Sequence, residues 1–501
     1  MTLRKHRIGL SFSAIWILCA VSPLGIVSAR AETLETALAL VYENNPSLNG
    51  ERARLRATDE ELAKAQSGYR PQVGISGDYG VGSQDSKVAP LPQINGIDPT
   101  PLQNAANQAA FKRYDGITHP GGFAVTVSQP LFEGFQTVNA VKSADANIFA
   151  ARETLRDTEQ RTLLGAVTAF MNVLRDAAAL TLRQHALKLF ASEADATRER
   201  FSAGETTRTD VAEARSRQAE AKAEVELAKA NLRGSLANYQ QLVGHVPTRL
   251  TDPVGFEQYL PNRVEDAIAE AVSHNPQVVS SAFLEKAAGY DVRKALGQML
   301  PQAAIQASHS QRYEPSTLLD GQIDNSASVR FSIPLYQSGE VEAQVRQAKQ
   351  QQQGRLQDIE AARDQARAQT IASFAQVQAN RAQVAAIRQQ IAAATESLTG
   401  MREEQKAGQR TLLDVLNTEQ ELINAEVSAV RAHHDFVVSA YTLLAAMGKL
   451  TAADLGLQVA LYDTHKHYAE TNGKWAGTSV EPEPGYAAAN PGWAPAVETQ
   501  H

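Results

Sequence analysis

"QPLFEGF", residues 129–135, divides two kinds of chain. Before it, Phe123, Val125 and Val127 alternate with Ala124, Thr126 and Ser128, giving one apolar face and one small or polar face. A period of two with such faces is the pattern of a strand set between lipid and water. After it, from Thr137 to Phe201, about 65 residues run without proline and are rich in Ala, Gln, Glu and Arg. Apolar positions there recur every three to four residues, as at Leu155, Thr158, Thr162, Leu163, Val167, Phe170 and Leu174. That spacing predicts an amphipathic or coiled-coil helix, which at 1.5 Å per residue spans about 100 Å.

The same passage returns as "IPLYQSG" at 333–339, and it is one of several landmarks that occur twice. "ENNPSLNG" at 43–50 returns as "SHNPQVVS" at 273–280, and "YRPQVGIS" at 69–76 as "MLPQAAIQ" at 299–306. "AGETTRTDV" at 203–211 returns as "AGQRTLLDV" at 407–415. The first two pairs are 230 residues apart (Pro276 minus Pro46) and the later ones 204 (Gly408 minus Gly204). Self-similarity on one ruler predicts two tandem repeats, 32–254 and 255–457, with a longer loop at 84–119 in the first. That loop carries Pro90, Pro92, Pro99 and Pro101.

Each repeat then supplies one hairpin, with strands at about 72–83 and 121–130, and at about 302–312 and 325–334. Pro71, Pro130, Pro301 and Pro334 mark the strand ends, because the residue before proline is pushed away from helical geometry. Val73, Ile75 and Tyr79 alternate in the first strand and Val329, Phe331 and Ile333 in the fourth, while the third, through Ile305, is weaker. A second long helix is predicted over Val341–Gln405, and shorter ones at about 34–67, 210–241, 264–298 and 411–447. Two half-length helices end to end match one long one, so each repeat is a rod with a hairpin at one end.

Arg4, Lys5 and Arg7 precede an apolar run from Ile8 to Ile26 and Ala29-Arg30-Ala31, the order of a secretory signal at 1–31. The only cysteine, Cys19, lies inside it. Beyond it no stretch approaches the 18 or so consecutive apolar residues of a spanning helix, which leaves a β-barrel open. The net charge of −7 comes with no basic cluster that would argue for nucleic acid. No metalloprotease, phosphate-loop or nucleophile-elbow motif occurs, so no catalytic residue, metal or cofactor is expected. His433, His434 and Asp435 read as polar helix surface. Residues 458–501, with His465 and His467, read as a C-terminal periplasmic segment and a disordered tail.

Four strands cannot close a barrel, and open edges are not tolerated in hydrocarbon, so several copies must pool their hairpins. Two copies give eight strands and a filled interior; three give twelve and room for a channel. Periodicity does not choose between them.

The doubled Asn-Pro starts, the P-L-[FY] passages, both Ala-Gly turns and "LYDTHKHYAETNGKWAG" at 461–477 resemble the TolC family of outer-membrane export ducts, up to about residue 470. The resemblance implies a mixed α/β membrane protein: a homotrimer with a 12-stranded β-barrel continuous with a periplasmic α-helical tunnel. It implies a periplasmic adaptor and an inner-membrane RND or ABC transporter as partners, and drugs, bile salts, dyes or whole proteins as cargo. A lipid-bearing N-terminal cysteine marks another branch and is missing here, which favours the TolC branch itself.

Gly204 and Gly408 suit the left-handed turns at the rod's far end, and Thr207 or Thr209 and Thr411 can cap the returning helices. By the resemblance this tip is a closed gate, with Arg410 as its arginine, Thr209 and Asp210 as bonding partners, and Asp414 forming a ring of three carboxylates. Two departures are Asn417, where the family has a second aspartate, and Gln405, where it has a latch tyrosine. A periplasmic coiled coil that bridges envelope layers without a pore is the competing reading.

Overall fold

The computed structural model describes residues 32–87, 113–316 and 319–480. The expected signal segment, Cys19, the four loop prolines and residues 481–501 lie outside them.

Two helices of 67 residues form the rod: α3 (Gln136–Ser202) and α7 (Glu340–Lys406), each about 100 Å long. The shorter helices are α1 (Leu34–Asn44), α2 (Pro46–Gln66), α4 (Arg208–Val243), α5 (Val264–His274), α6 (Pro276–Gly297), α8 (Leu412–Ala446) and α9 (Lys466–Thr471). Sequence reading merged α1 with α2 and α5 with α6. The breaks fall at Asn45-Pro46 and Asn275-Pro276, where the asparagine is extended and proline occupies the first helical position. Each asparagine caps its new helix through Oδ1, accepting from the amides of Ser47 and Gln277. Each also donates from Nδ2 to a carbonyl closing the returning helix: Asn45 to Leu242 at 3.3 Å, Asn275 to Ala446 at 3.0 Å. So α2 stacks on the end of α4, and α6 on the end of α8.

The main core lies where these stacks meet α1 and α3, with Leu38, Val41, Leu163, Phe170, Tyr239, Leu443 and Leu450 fully buried. Among the described residues, α3 is the helix with a window long and apolar enough to cross a membrane. Leu163, Val167, Phe170 and Met171 of that helix are buried in this core. A smaller cluster near the far tip joins Ala186 and Phe190 of α3, Ala221 of α4, and Leu412, Leu416 and Ile423 of α8.

The sheet is antiparallel, in the order β1 (Gln72–Tyr79), β4 (Gly121–Glu133), β5 (Gln302–Ser316) and β6 (Leu319–Ser332). A separate ladder, β2 (Gly82–Lys87) with β3 (Arg113–Thr118), extends the first hairpin. The 84–119 segment therefore begins and ends as paired strand rather than as loop. Pro71 and Pro301 immediately precede β1 and β5, and Pro334 follows β6. Pro130 differs from expectation: it lies inside β4, at a bulge where the pairing shifts between Pro130 and Phe132. The residue left outside the ladder there is Leu131, and strands tolerate proline next to such a bulge.

Candidate functional site: the membrane sheet and the two helical tips

Register decides what the sheet can face, because directly paired residues share a side. One side carries the rows Val73–Val127–Ala307–Ala327, Ile75–Val125–His309–Asn325 and Gln129–Ile305–Val329. The other carries Gln72–Ser128–Gln306–Ser328 and Gly74–Thr126–Ser308–Ser326. Val73, Ile75 and Phe331 of the first side are 69–76% exposed. Its polar members satisfy each other: His309 Nδ1 and Asn325 Oδ1 are 2.7 Å apart, and Gln311 donates to the Tyr313 hydroxyl at 2.6 Å. The third strand looked weak because small or polar residues, Ala303, Ala307 and His309, surround Ile305 on its apolar side. It is nonetheless central, paired on both edges.

At the other end both Ala-Gly turns have one backbone. Gly204 and Gly408 have φ of +80° and +75°. Gly204 N–H donates to Phe201 O and Glu205 N–H to Arg200 O; Gly408 N–H donates to Gln405 O and Gln409 N–H to Glu404 O. This is the left-handed stop that glycine makes easy. Thr207, not Thr209, caps α4, and Thr411 caps α8. Each forms a capping box: threonine Oγ1 accepts from the amide of Asp210 or Asp414, whose carboxylate accepts from the threonine amide.

Asp210 and Asp414 are thus both engaged within their own turns. Thr209 is exposed. Arg410 does not reach Thr209 or Asp210 within the protomer; its Nε donates to Glu404 Oε2 at 2.8 Å, across the turn. The stop brings residues six apart side by side, and a carboxylate there takes the guanidinium first. Gln405 is half-buried on the last turn of α7. Asn417 accepts from Arg217 Nη2 of α4 at 2.7 Å.

Glu404 and Arg217 escaped the sequence reading, as did Glu419. Buried on α8, Glu419 accepts from Arg402 Nη2 of α7 at 2.8 Å. Burial pushes its carboxyl up, against the pull of Arg402, and the nearby Glu193 of α3 pushes it further. Asp414 is the opposite: hydrogen bonds from Thr411, with Arg410 close by, hold its carboxyl below the usual range. His433 pairs with Asp252 at 2.9 Å, whereas His434 is buried against Asn172 of α3, also at 2.9 Å, so only one of the two is surface.

A two-sided membrane sheet at one end of a helical rod, with paired glycine turns at the other, defines a protomer of an outer-membrane duct. The model of the outer membrane efflux protein family matches residues 37–245 and 267–449, and the chain belongs to that family. Over 455 residues it is 37% identical to outer membrane efflux protein BepC of Brucella suis biovar 1 (strain 1330), covering 90% of this chain and 92% of that one. Over 460 residues it is 25% identical to outer membrane protein TolC of Escherichia coli (strain K12), covering 88% and 87%. The fold is also that of the Campylobacter jejuni CmeC outer membrane channel, with a TM-score of 0.69 at 15% identity over 88% of this chain and 89% of that one. The protein is accordingly an outer-membrane exit duct whose helical part stands in the periplasm, and its family works with efflux or secretion machinery.

Proposed function

We propose that three copies pool their sheets into a twelve-stranded barrel, and their helices into a tunnel closed at the Ala-Gly tips. The observation that carries this is the sheet itself: β1 and β6 each keep an unpaired edge, while one side carries apolar residues on all four strands. Hydrocarbon accepts such edges only when another chain pairs with them. Three copies leave a lumen, where two would fill it.

The duct has no energy source or chemistry of its own. Direction comes from an inner-membrane RND or ABC transporter, joined through a periplasmic adaptor that docks around Gly204, Thr207, Gly408 and Thr411 and draws the tips apart. Drugs, other toxic compounds and secreted proteins are the cargo classes. A rod that merely bridges the envelope has no use for a sheet with exposed apolar residues on every strand of one side.

In this reading Arg410 holds the closed tip. It is already oriented by Glu404, and its remaining guanidinium donors face the neighbouring tips, with Thr209 and Asp210 as their partners. Asp414 of each protomer contributes to a ring of three carboxylates that favours cations. Asn417 adds no charge to it, and Gln405 offers an amide in place of a phenol. The test is single-channel conductance in planar bilayers. Wild type should give small, cation-selective currents, and Arg410→Ser should raise them several-fold. Large, equal currents in both would remove the gate; no channel in either would remove the pore.

A further inference from the structure

We propose that the C-terminal strap is a membrane-interface anchor, with Trp475 seated among the phospholipid headgroups at the periplasmic face of the outer membrane. This rests on the reading that β1, β4, β5 and β6 are the membrane strands.

Residues 461–475, expected to lead into a disordered tail, instead follow α2 step by step toward β1. The Arg56 guanidinium donates to the Tyr462 hydroxyl at 3.4 Å, and His467 Nδ1 lies 3.1 Å from the buried Asp59. One helical stretch on, Gln66 donates to Asn472 Oδ1 at 2.7 Å and accepts from the Gly473 amide at 3.2 Å. Arg70 then donates to Lys474 O at 2.6 Å, with its guanidinium 5.0 Å from the centre of the Trp475 ring. The strap therefore runs parallel to α2 and delivers its tryptophan beside the residue before Pro71, where the first membrane strand begins.

Five polar contacts fix the strap, yet the tryptophan it carries is 70% exposed. Among the described residues, Arg70 is the cation stacked on it. Its level is set by covalent connection: Tyr69, Leu131 and Phe135 flank the helix-side ends of β1 and β4, and Leu335 and Tyr336 follow β6. All five are more than half exposed. Tryptophan suits the boundary between acyl chains and water, since its ring is apolar and its N–H is a donor. Arg70 and Lys474 place two cations beside it, matching the phosphate of a phospholipid. Continuity with the apolar side of the sheet identifies lipid as the cover.

The experiment exploits the scarcity of tryptophan. Beyond the expected signal segment, which holds Trp16, the chain has only Trp475 and Trp493, so Trp493→Phe leaves Trp475 as the sole tryptophan there, excited selectively over tyrosine at the red edge. This variant, beginning at Glu32, is reconstituted into phosphatidylcholine vesicles whose chains are brominated either near the headgroup or near the chain end. Trp475 emission should be blue-shifted and lose more than half its intensity with the shallow bromines, less with the deep ones, and little with aqueous iodide. Quenching by iodide without a bromine effect would place the ring in water and overturn the anchor. Insensitivity to both would mean that protein, such as a second copy, covers the ring, and would also overturn it. A control carrying Trp475→Phe, Trp493→Phe and Phe331→Trp reports on β6 itself. Bromine quenching there with none at Trp475 defeats the anchor alone; no bromine quenching at either position defeats the membrane-strand reading beneath it.

Discussion

At the strand-to-helix passage the first repeat has Gly134 and Phe135 at φ of +61° and +63°, and the second has Ser338 and Gly339 at +55° and +80°. The backbone makes the same two left-handed steps, but glycine stands at a different step. Surroundings explain the exchange. A Cβ on Gly134 would lie 2.2 Å from Gly297 O and 2.8 Å from Leu300 Cβ, whereas one on Gly339 would meet nothing within 4 Å. The first junction is pinned against α6 and the second stands free, so glycine is there by contact in one case and by dihedral angle in the other. Copying the second junction into the first therefore gives the largest expected effect. Gly134→Ser should cost more than about 4 kcal/mol, because packed backbone must move. Heat-modifiable protein should vanish from outer-membrane extracts, while Ser338→Gly leaves the yield unchanged. Equal yields would show the junctions to be interchangeable.

The same contrast recurs where α4 and α8 end. Gly244 and Gly448, 204 residues apart, have φ of +100° and +80°. Only Gly448 is crowded, since a Cβ there would sit 2.4 Å from His274 O, beside the Asn275 link. Gly244→Ala should cost only the left-handed strain of a substituted residue, about 1–2 kcal/mol. Gly448→Ala should cost that and at least ~2 kcal/mol more for the clash. Thermal unfolding of the two purified variants measures the gap directly.

These pairs also show what could be read in advance. The Pro-Leu-aromatic and Ala-Gly landmarks were legible because each encodes a local backbone event, a strand-to-helix passage and a left-handed stop. The Asn-Pro landmarks were legible as repeats but not as the helix starts they encode. The membrane strands were legible where β-branched or aromatic residues alternate, and faint in β5, where Ala303 and Ala307 fill the apolar side. What was not legible depends on partners fixed only after folding. Glu404 meets Arg410 because the turn closes six residues, and Arg217 meets Asn417 because α4 lies beside α8. The strap was hidden for a different reason: its composition resembles that of a tail, and its order comes from contacts with α2, some 400 positions away.

At the tips the two repeats differ in side chains, not in backbone. Both capping boxes are built alike, so Thr207→Ala and Thr411→Ala should each lower stability by about 1 kcal/mol. Conductance should respond to both, because Thr207 positions Asp210, the proposed partner of Arg410, and Thr411 positions Asp414 beside Arg410. Each substitution should raise the current. A wild-type current in Thr207→Ala would remove Asp210 from the latch.

The smallest effect concerns two carboxylates of α8, five residues apart and shifted in opposite directions. Asp414 is depressed by its cap, so its contribution is complete above the unfolded value of about 3.9 and is lost as pH falls through the lower folded value. Glu419 is raised by burial, so its folded value lies above the unfolded value of about 4.3. Keeping it ionised costs stability at neutral pH, and that cost disappears as pH falls through the raised value. Stability should therefore rise slightly on mild acidification, before the loss at Asp414 sets in. Glu419→Gln should remove the rise and keep the acid loss; Asp414→Asn should do the reverse. Melting temperatures between pH 7 and about 3 distinguish them. A Glu419→Gln curve that still rises on mild acidification would move the responsible group elsewhere, the buried Glu153 and Glu159 of α3 being the next in line, since burial raises both.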